Sequence, residues 1–231
     1  MSDCRPPGRT CGGAIFDWDG VVVDSSTLHA LSWERMAEQR GDSLPAALRA
    51  RIGSLGVKTE YVISDMLGWA RDPQEVNRIA LEKEAVYLRL VQAMGQPAQP
   101  GLRRLLEGLT ERGIPCAVGS SALRRNIEEC IDTLGFRPFF RAIVTGDEVL
   151  HGKPAPDIFL EAARRIGREP AECVVFEDAP AGIAAARAAG MRVIGLLSNN
   201  SADSLKHADR LIGTFEELAP DPQNWFVPAA V

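Results

Sequence analysis

The sequence predicts an α/β protein in which a parallel sheet with crossover helices carries an inserted helical segment. After residue 97, short apolar runs alternate with helical patterns, an order typical of parallel strands joined by helices. Residues 25–97 show helical periodicity alone, and they lie directly behind the first strand. We therefore expect a core of residues 12–24 and 98–219, a helical cap of residues 25–97, and tails at residues 1–11 and 220–231.

The composition is that of an ordinary globular protein, with 231 residues, a net charge of -5 and a hydrophobic fraction of 45%. No apolar run is long enough to span a bilayer, and the start of the chain lacks the basic-then-apolar order of a signal peptide. We therefore expect a cytoplasmic protein without a membrane partner. The absence of a basic block argues against nucleic acid as a partner. The oligomeric state stays open, with a monomer favoured.

Cysteine usage argues against two kinds of structural site. The five cysteines are odd in number and scattered, and no two of them have C-x-x-C spacing. Neither a disulfide framework nor a zinc site is expected from this pattern.

The first strand is predicted over residues 14–16 and ends at two carboxylates, Asp17 and Asp19, followed by Gly20. Burying a carboxylate costs free energy unless a cation compensates its charge. The segment therefore indicates a metal or cationic substrate site. The four residues 17–20 fit an ordinary turn equally well, because Asp and Gly are common turn residues. Other segments must decide between the two interpretations.

The inserted segment is predicted to contain four helices, because apolar residues recur at intervals of three and four. His29 and Trp33 share one side of the first helix, and Trp33 is expected in the core of the segment. Lys83 lies in a charged run, residues 82–84, which is typical of a solvated helix face. A linker rich in Gly and Pro, residues 95–101, returns the chain to the sheet. The helices are predicted at residues 26–40, 45–52 and 59–69, with the fourth beginning at Asp72 and Pro73.

The remaining elements follow one another as helix and strand. Their apolar runs are short, as in strands buried on both faces of a parallel sheet. Helices are predicted at residues 102–111, 123–134, 156–166 and 181–189, and strands at 115–119, 142–144, 173–176 and 192–195, with a final edge strand at 209–212.

Candidate functional residues follow the predicted strands, because a ligand of an open parallel sheet lies beyond the carboxyl ends of its strands. Four carboxylates in one crevice repel one another unless a cation shares the site. A set of oxygen ligands without His or Cys favours a hard ion, magnesium above all. The candidates are Asp17 and Asp19 after the first strand, Ser120 after the second, Lys153 in the loop after the third, and Glu177 and Asp178 after the fourth.

A carboxylate, magnesium and a lysine together suit phosphoryl transfer. The two cations offset the repulsion between an anionic nucleophile and an anionic phosphate. An aspartyl phosphate is a recognised covalent route, and the second aspartate of the pair could exchange protons with the leaving oxygen and with water.

Three of these residues have simpler alternatives. Ser120 could cap the following helix, Lys153 could be a surface lysine of a loop, and Glu177 could be a solvated acid of a turn.

Four ordered segments together resemble the motifs of the haloacid dehalogenase (HAD) superfamily, most closely its β-phosphoglucomutase-like phosphatases. The resemblance runs from about residue 12 to the final strand and implies a Rossmann-like core with an inserted α-helical cap domain. Each segment falls at a predicted strand end or in the loop after it. The segments are Asp17-Trp18-Asp19-Gly20, Val118-Gly119-Ser120-Ser121, Gly152-Lys153-Pro154 and Glu177-Asp178.

The resemblance implies a role for each candidate. Asp17 would be the nucleophile and a metal ligand, and Asp19 the general acid and base, with its backbone carbonyl on the metal. Ser120 and Lys153 would bind the phosphoryl oxygens, and Asp178 and Glu177 would hold Mg²⁺. In the cap, His29, Trp33 and Lys83 match in order and approximate spacing the residues that help to form the substrate site.

The leading hypothesis is a magnesium-dependent phosphatase that hydrolyses a small phosphorylated metabolite such as a sugar phosphate. The alternative is an isomerase, a phosphomutase of the β-phosphoglucomutase type, which returns the phosphoryl group to the rotated intermediate. A dehalogenase would leave Asp19 and Asp178 without a function, since carbon-halogen displacement needs neither a metal nor a leaving-group acid. A protein without catalytic activity is disfavoured, because every expected catalytic position is filled.

Overall fold

The structure, a computed structural model, describes residues 12–49, 52, 59–218, 222 and 225. The predicted tail at residues 1–11, most of the tail at 220–231 and part of the predicted helix at 45–52 lie outside these described residues. The chain divides into two compact units. One unit runs up to Val23 and resumes at Ala98, and the other spans Asp24–Pro97.

The first unit contains one sheet of six strands in the order β3-β2-β1-β4-β5-β6, with every neighbouring pair parallel. This arrangement confirms the predicted α/β fold class and the edge position of the last strand. The order reverses between β1 and β4, which lie side by side, so their carboxyl ends form the switch point of the sheet. The strands are β1 (Gly13–Phe16), β2 (Cys116–Ser120), β3 (Phe140–Thr145), β4 (Cys173–Glu177), β5 (Arg192–Leu196) and β6 (Arg210–Ile212).

In the described residues, the helices of the sheet unit alternate with the strands after β1, as predicted, and the inserted unit contains helices alone. In the inserted unit they are α1 (Ser26–Gln39), α2 (Ala46–Arg49), α3 (Thr59–Tyr61) and α4 (Pro73–Met94). In the sheet unit they are α5 (Leu102–Glu111), α6 (Arg124–Thr133), α7 (Asp157–Arg165) and α8 (Pro180–Ala188).

Burial on both faces of the sheet holds the ends of β1 and β4 in place. On one face Phe16 stacks on Phe176, with ring centroids 4.6 Å apart. On the other face Ile15 belongs to a buried cluster with Phe159 of α7 and Ile183 of α8. Because successive residues of a strand point to opposite faces, both sides of each strand are packed. The loops after β1 and β4 therefore start from rigid positions.

The inserted unit departs from prediction in its third helix. The prediction of one α-helix over residues 59–69 is wrong, because α3 continues as a π-helix over Val62–Met66. The N–H of Leu67 donates to the carbonyl of Val62 at 2.9 Å, a bond that spans five residues instead of four. The spacing of apolar residues does not distinguish these two bond patterns over so short a segment.

The start of α4 confirms the Asp72-Pro73 prediction. Asp72 Oδ1 accepts hydrogen bonds from the N–H groups of Gln74 and Glu75, at 3.1 and 3.0 Å, and Pro73 occupies the first turn. Among the described helices, none combines the length and the apolar composition needed to cross a bilayer.

Candidate active site

Three carboxylates meet where β1 and β4 end. Asp17 follows β1, and its N–H donates to the carbonyl of Phe176 in β4 at 3.0 Å. Glu177 is the last residue of β4, and Asp178 follows it. One carboxylate oxygen from each of the three acids lies within 4.8 Å of the others. The switch point of the sheet thus brings together three of the four predicted acids.

Lys153 is the positive charge of this cluster. Its Nζ lies 3.0 Å from Asp17 Oδ1 and 2.7 Å from Glu177 Oε1, and its side chain is only 9% exposed. Its Nζ also lies over the ring of Phe159, 4.9 Å from the centroid. Burial lowers the pKa of Lys153, but the charges of Asp17 and Glu177 outweigh burial and raise it above the ordinary value. The alternative of a surface lysine is therefore wrong.

Glu177 is fully buried, so the alternative of a solvated turn acid is also wrong. Its Oε2 accepts from the N–H groups of Asp178 and Ala179, at 2.8 and 2.9 Å, just before α8 begins. Its Oε1 accepts from Lys153. Burial raises the pKa of Glu177, and the ammonium of Lys153 opposes the rise. A side chain at Gly182 would overlap this carboxylate, which lies directly over the helix.

Gly182→Ala is expected to destabilise the protein by about 1–3 kcal/mol, because the added methyl overlaps the Glu177 carboxylate in a closely packed region. The free energy of unfolding in urea measures this loss. Gly152→Ala is the matched control, since a methyl group there meets no atom within 4 Å. Equal stability of the two variants would contradict the packing of Glu177 over this glycine.

Asp178 is held by three side chains of the loop after β5. Its Oδ2 accepts from Asn199 Nδ2 at 2.9 Å and from Ser198 Oγ at 3.2 Å, and its backbone carbonyl accepts from Asn200 Nδ2 at 2.9 Å. Burial, together with repulsion from Glu177, raises the pKa of Asp178 to about 8. Ser198, Asn199 and Asn200 were not among the candidates predicted from the sequence. Like the other candidates, they follow the carboxyl end of a strand, which is where the ligand of an open parallel sheet lies.

The cluster has the chemistry of a cation site. Asp17 Oδ1 is buried and accepts no hydrogen bond of good geometry from the described residues, although the Lys153 ammonium lies 3.0 Å away. Three carboxylates face one ammonium, and burial with mutual repulsion raises the pKa of Glu177 and Asp178. A divalent cation would offset this excess of negative charge, and a set of oxygen donors suits a hard ion. Asp17, Glu177 and Asp178 could therefore hold a metal ion.

Ser120 and Asp19 lie at neighbouring strand ends. Ser120 ends β2, is 2% exposed, and accepts from the N–H of Ala122 at 3.2 Å. The N-cap position of α6 is occupied by Leu123, which makes no side-chain capping bond. The alternative that Ser120 caps this helix is therefore wrong. Asp19 is partly exposed, and its backbone forms a bridge with Val23. Its carboxylate is not among the three that lie within 4.8 Å of one another in the described residues.

The inserted unit brings His29, Trp33 and Lys83 together. Lys83 Nζ lies 2.9 Å from His29 Nδ1 and 2.9 Å from Glu84 Oε1. It also lies over the rings of Trp33 and Tyr87, at 5.5 and 5.2 Å from the centroids. Trp33 is buried, as predicted.

The interpretation of residues 82–84 as a solvated helix face is wrong for Lys83, which is 2% exposed. Helix α4 is buried on more than one side, since Val86, Tyr87 and Leu88 are three consecutive buried residues. The charge of Glu84 and the aromatic rings offset the cost of burying the ammonium. His29 stacks on Tyr87 with centroids 4.1 Å apart.

Comparisons with known proteins place this chain in a family. A family model described as haloacid dehalogenase-like hydrolase matches residues 12–190. A 5-amino-6-(5-phospho-D-ribitylamino)uracil phosphatase of Arabidopsis thaliana is 33% identical over 90% of this chain, which spans 56% of that protein. A fructose-1-phosphate phosphatase of Escherichia coli is 35% identical, over 79% of this chain and 94% of its own length.

Among solved structures, a β-phosphoglucomutase from Clostridium difficile superposes with a TM-score of 0.77 and 25% identity. The match covers 90% of this chain and 93% of that one.

Proposed function

We propose, since the chain belongs to the family of haloacid dehalogenase-like hydrolases, that it is a magnesium-dependent phosphatase acting through an aspartyl phosphate. The similarity to two proteins named as phosphatases supports a phosphoric monoester hydrolase. The proposal adds the metal, the covalent route and the substrate class, a small phosphorylated metabolite such as a sugar phosphate. The observation that carries it is the buried carboxylate of Asp17, which lies 3.0 Å from the ammonium of Lys153 and within 4.8 Å of two further acids.

In the first step, a carboxylate oxygen of Asp17 attacks phosphorus and the bond to the ester oxygen breaks. Lys153 offsets the negative charge of the phosphoryl oxygens, and the hydroxyl of Ser120 donates to one of them. Asp17, Asp178, Glu177 and the backbone carbonyl of Asp19 would hold Mg²⁺. When bound, Mg²⁺ supplies positive charge that lowers the repulsion between nucleophile and phosphate.

Asp19 is proposed to move the protons of the reaction. It protonates the leaving alcohol oxygen and then accepts a proton from the water that hydrolyses the aspartyl phosphate. His29 and Lys83, whose polar atoms lie 2.9 Å apart, are proposed to help recognise the part of the substrate beyond the phosphate.

Asp19→Asn tests this proton transfer. With a sugar phosphate we expect kcat to fall about 10²- to 10⁴-fold, the usual contribution of general acid-base catalysis. With p-nitrophenyl phosphate the first turnover should remain fast, since nitrophenolate leaves without a proton, and slow hydrolysis of the aspartyl phosphate should follow. Stopped-flow absorbance should show a burst of one nitrophenolate per active site. Equal loss of the first step with both leaving groups would argue against Asp19 as the acid.

A phosphomutase is the second candidate, favoured by the similarity to the Clostridium difficile β-phosphoglucomutase. Such an enzyme would transfer the phosphoryl group from Asp17 to a free hydroxyl of a sugar phosphate instead of to water.

One experiment separates the two functions. Phosphate release is measured with sugar phosphates, phosphoglycolate and nucleotides, with Mg²⁺ and with EDTA. Formation of glucose 6-phosphate from β-glucose 1-phosphate, primed with glucose 1,6-bisphosphate, is measured in parallel. Magnesium-dependent phosphate release supports the phosphatase, whereas glucose 6-phosphate without net phosphate supports the mutase. Activity that persists undiminished in EDTA would contradict the magnesium requirement.

A further inference from the structure

We infer that Asn199, together with Ser198, is a positioning residue that fixes the carboxylate of Asp178 for a divalent cation. Both belong to the loop that directly follows β5. The inference rests on the proposed function, because it concerns the acid that would hold the metal. It assigns a role to a segment outside the four motifs.

Both side chains donate to the same oxygen of Asp178. Asn199 Nδ2 lies 2.9 Å from Oδ2, and Ser198 Oγ lies 3.2 Å from it. In the part of the chain that the structure describes, the two side-chain hydrogen bonds to this carboxylate both go to Oδ2 and not to Oδ1. The hydrogen bonds thus anchor one oxygen and leave the other as an ion ligand. A carboxylate with one anchored oxygen cannot rotate freely, so the direction of its second oxygen is set before an ion arrives.

The sheet places the loop beside Asp178. Glu177 pairs with Gly195 across β4 and β5, so both strands end at the same level. The next residue of the loop, Asn200, donates from Nδ2 to the backbone carbonyl of Asp178 at 2.9 Å. Three consecutive side chains of one loop therefore bind a single acid. Because these bonds come from side chains, they depend on the residue types at these positions.

Gly20 packs against the same carboxylate oxygen. A Cβ at this position would overlap Asp178 Oδ2 and would lie 2.7 Å from Asn199 Nδ2. Gly20 also has a φ of +74°, which favours glycine. The backbone of the Asp-x-Asp-Gly segment thus packs against the pair formed by Asp178 and Asn199. This segment and the loop after β5 therefore both pack against Oδ2 of Asp178.

Loss of an outer hydrogen bond to a metal ligand typically weakens metal affinity 10- to 100-fold. We expect this loss for Asn199→Ala. The metal-free variant is titrated with Mn²⁺, with free Mn²⁺ followed by electron paramagnetic resonance, and with Mg²⁺ in competition. The Kd for Mn²⁺ should rise about 10- to 100-fold. The Mg²⁺ concentration for half-maximal activity should rise with it, while kcat at saturating Mg²⁺ stays close to that of the wild type.

Asn200→Ala is the matched control, because it removes the same amide group one position later, where the bond goes to the backbone. Its Kd for Mn²⁺ should stay near the wild-type value. Ser198→Ala should weaken binding less than Asn199→Ala, in line with its longer hydrogen bond. Thermal unfolding without metal shows whether Asn199→Ala is folded. If it is not, Ser198→Ala provides the test.

The inference is overturned if folded Asn199→Ala binds Mn²⁺ with unchanged affinity. If Asn199→Ala does not fold, unchanged affinity in folded Ser198→Ala overturns it. Equal weakening by Asn200→Ala overturns it as well, because the loop would then act as a whole. A wild type that binds no Mn²⁺ overturns it too. A wild type that binds Mn²⁺ tightly and hydrolyses no phosphate ester contradicts the proposed function instead, and leaves the positioning role standing.

Discussion

Asp17→Asn is expected to lower kcat for phosphate release roughly 10⁴- to 10⁶-fold, a range typical of the loss of a covalent nucleophile or of the group that activates it. The amide keeps the size and position of the side chain but cannot form the acyl phosphate bond. The fold should persist, because the amide replaces one of three carboxylates that lie within 4.8 Å of one another. Release of inorganic phosphate measures the activity, and far-ultraviolet circular dichroism with thermal unfolding measures the fold.

Asp203→Asn provides the control for this change, because the Asp203 side chain is 93% exposed. Its activity should equal that of the wild type. Intact-mass measurement after quenching in acid should detect a phosphorylated wild type and no phosphorylated Asp17→Asn. If Asp17→Asn turned over at a rate near that of the wild type, another residue would be the nucleophile.

Lys153→Met is expected to have the largest effect on stability, a loss of about 3–5 kcal/mol in the absence of metal. The ammonium of Lys153 contacts Asp17 and Glu177, and its removal leaves these buried carboxylates without a counter-charge. Activity should fall as well, because the phosphoryl oxygens lose a positive partner. Urea unfolding in EDTA measures the stability, and Mg²⁺ should restore part of it by supplying positive charge to the same acids.

Lys206→Met is the control for Lys153→Met. The Lys206 side chain is 62% exposed and lies 3.8 Å from Asp203, so its loss should cost less than about 1 kcal/mol. The double variant Lys153→Met with Glu177→Gln should be more stable than Lys153→Met alone, because it removes one of the unpaired charges. If the decreases in the free energy of unfolding of the two single variants simply add in the double variant, the contact between Lys153 and Glu177 does not contribute to stability.

Much of the fold follows from local patterns in the sequence. The alternation of short apolar runs with helical periodicity predicted the parallel sheet. The predicted strands differ from the observed ones by only one or two residues at their ends. The rule that ligands lie beyond the carboxyl ends of strands then selected Asp17, Lys153 and Glu177, which the structure brings into contact distance. Asp17 and Glu177 stand at strand ends whatever the details of packing, so their positions needed no tertiary information. Lys153 lies in the loop after β3, and only the tertiary structure shows that it is buried against these acids.

The sequence by itself therefore determined the parallel sheet and the acids at its carboxyl edge, because apolar periodicity and the position of a residue relative to a strand end are local properties. Only the tertiary structure decided that Lys83 is buried, that Val62–Met66 form a π-helix and that Asn199 binds Asp178. These features depend on which surfaces of an element are covered and on distances between side chains far apart in the chain. Local patterns carry no record of such distances, since the packing of the whole unit sets them.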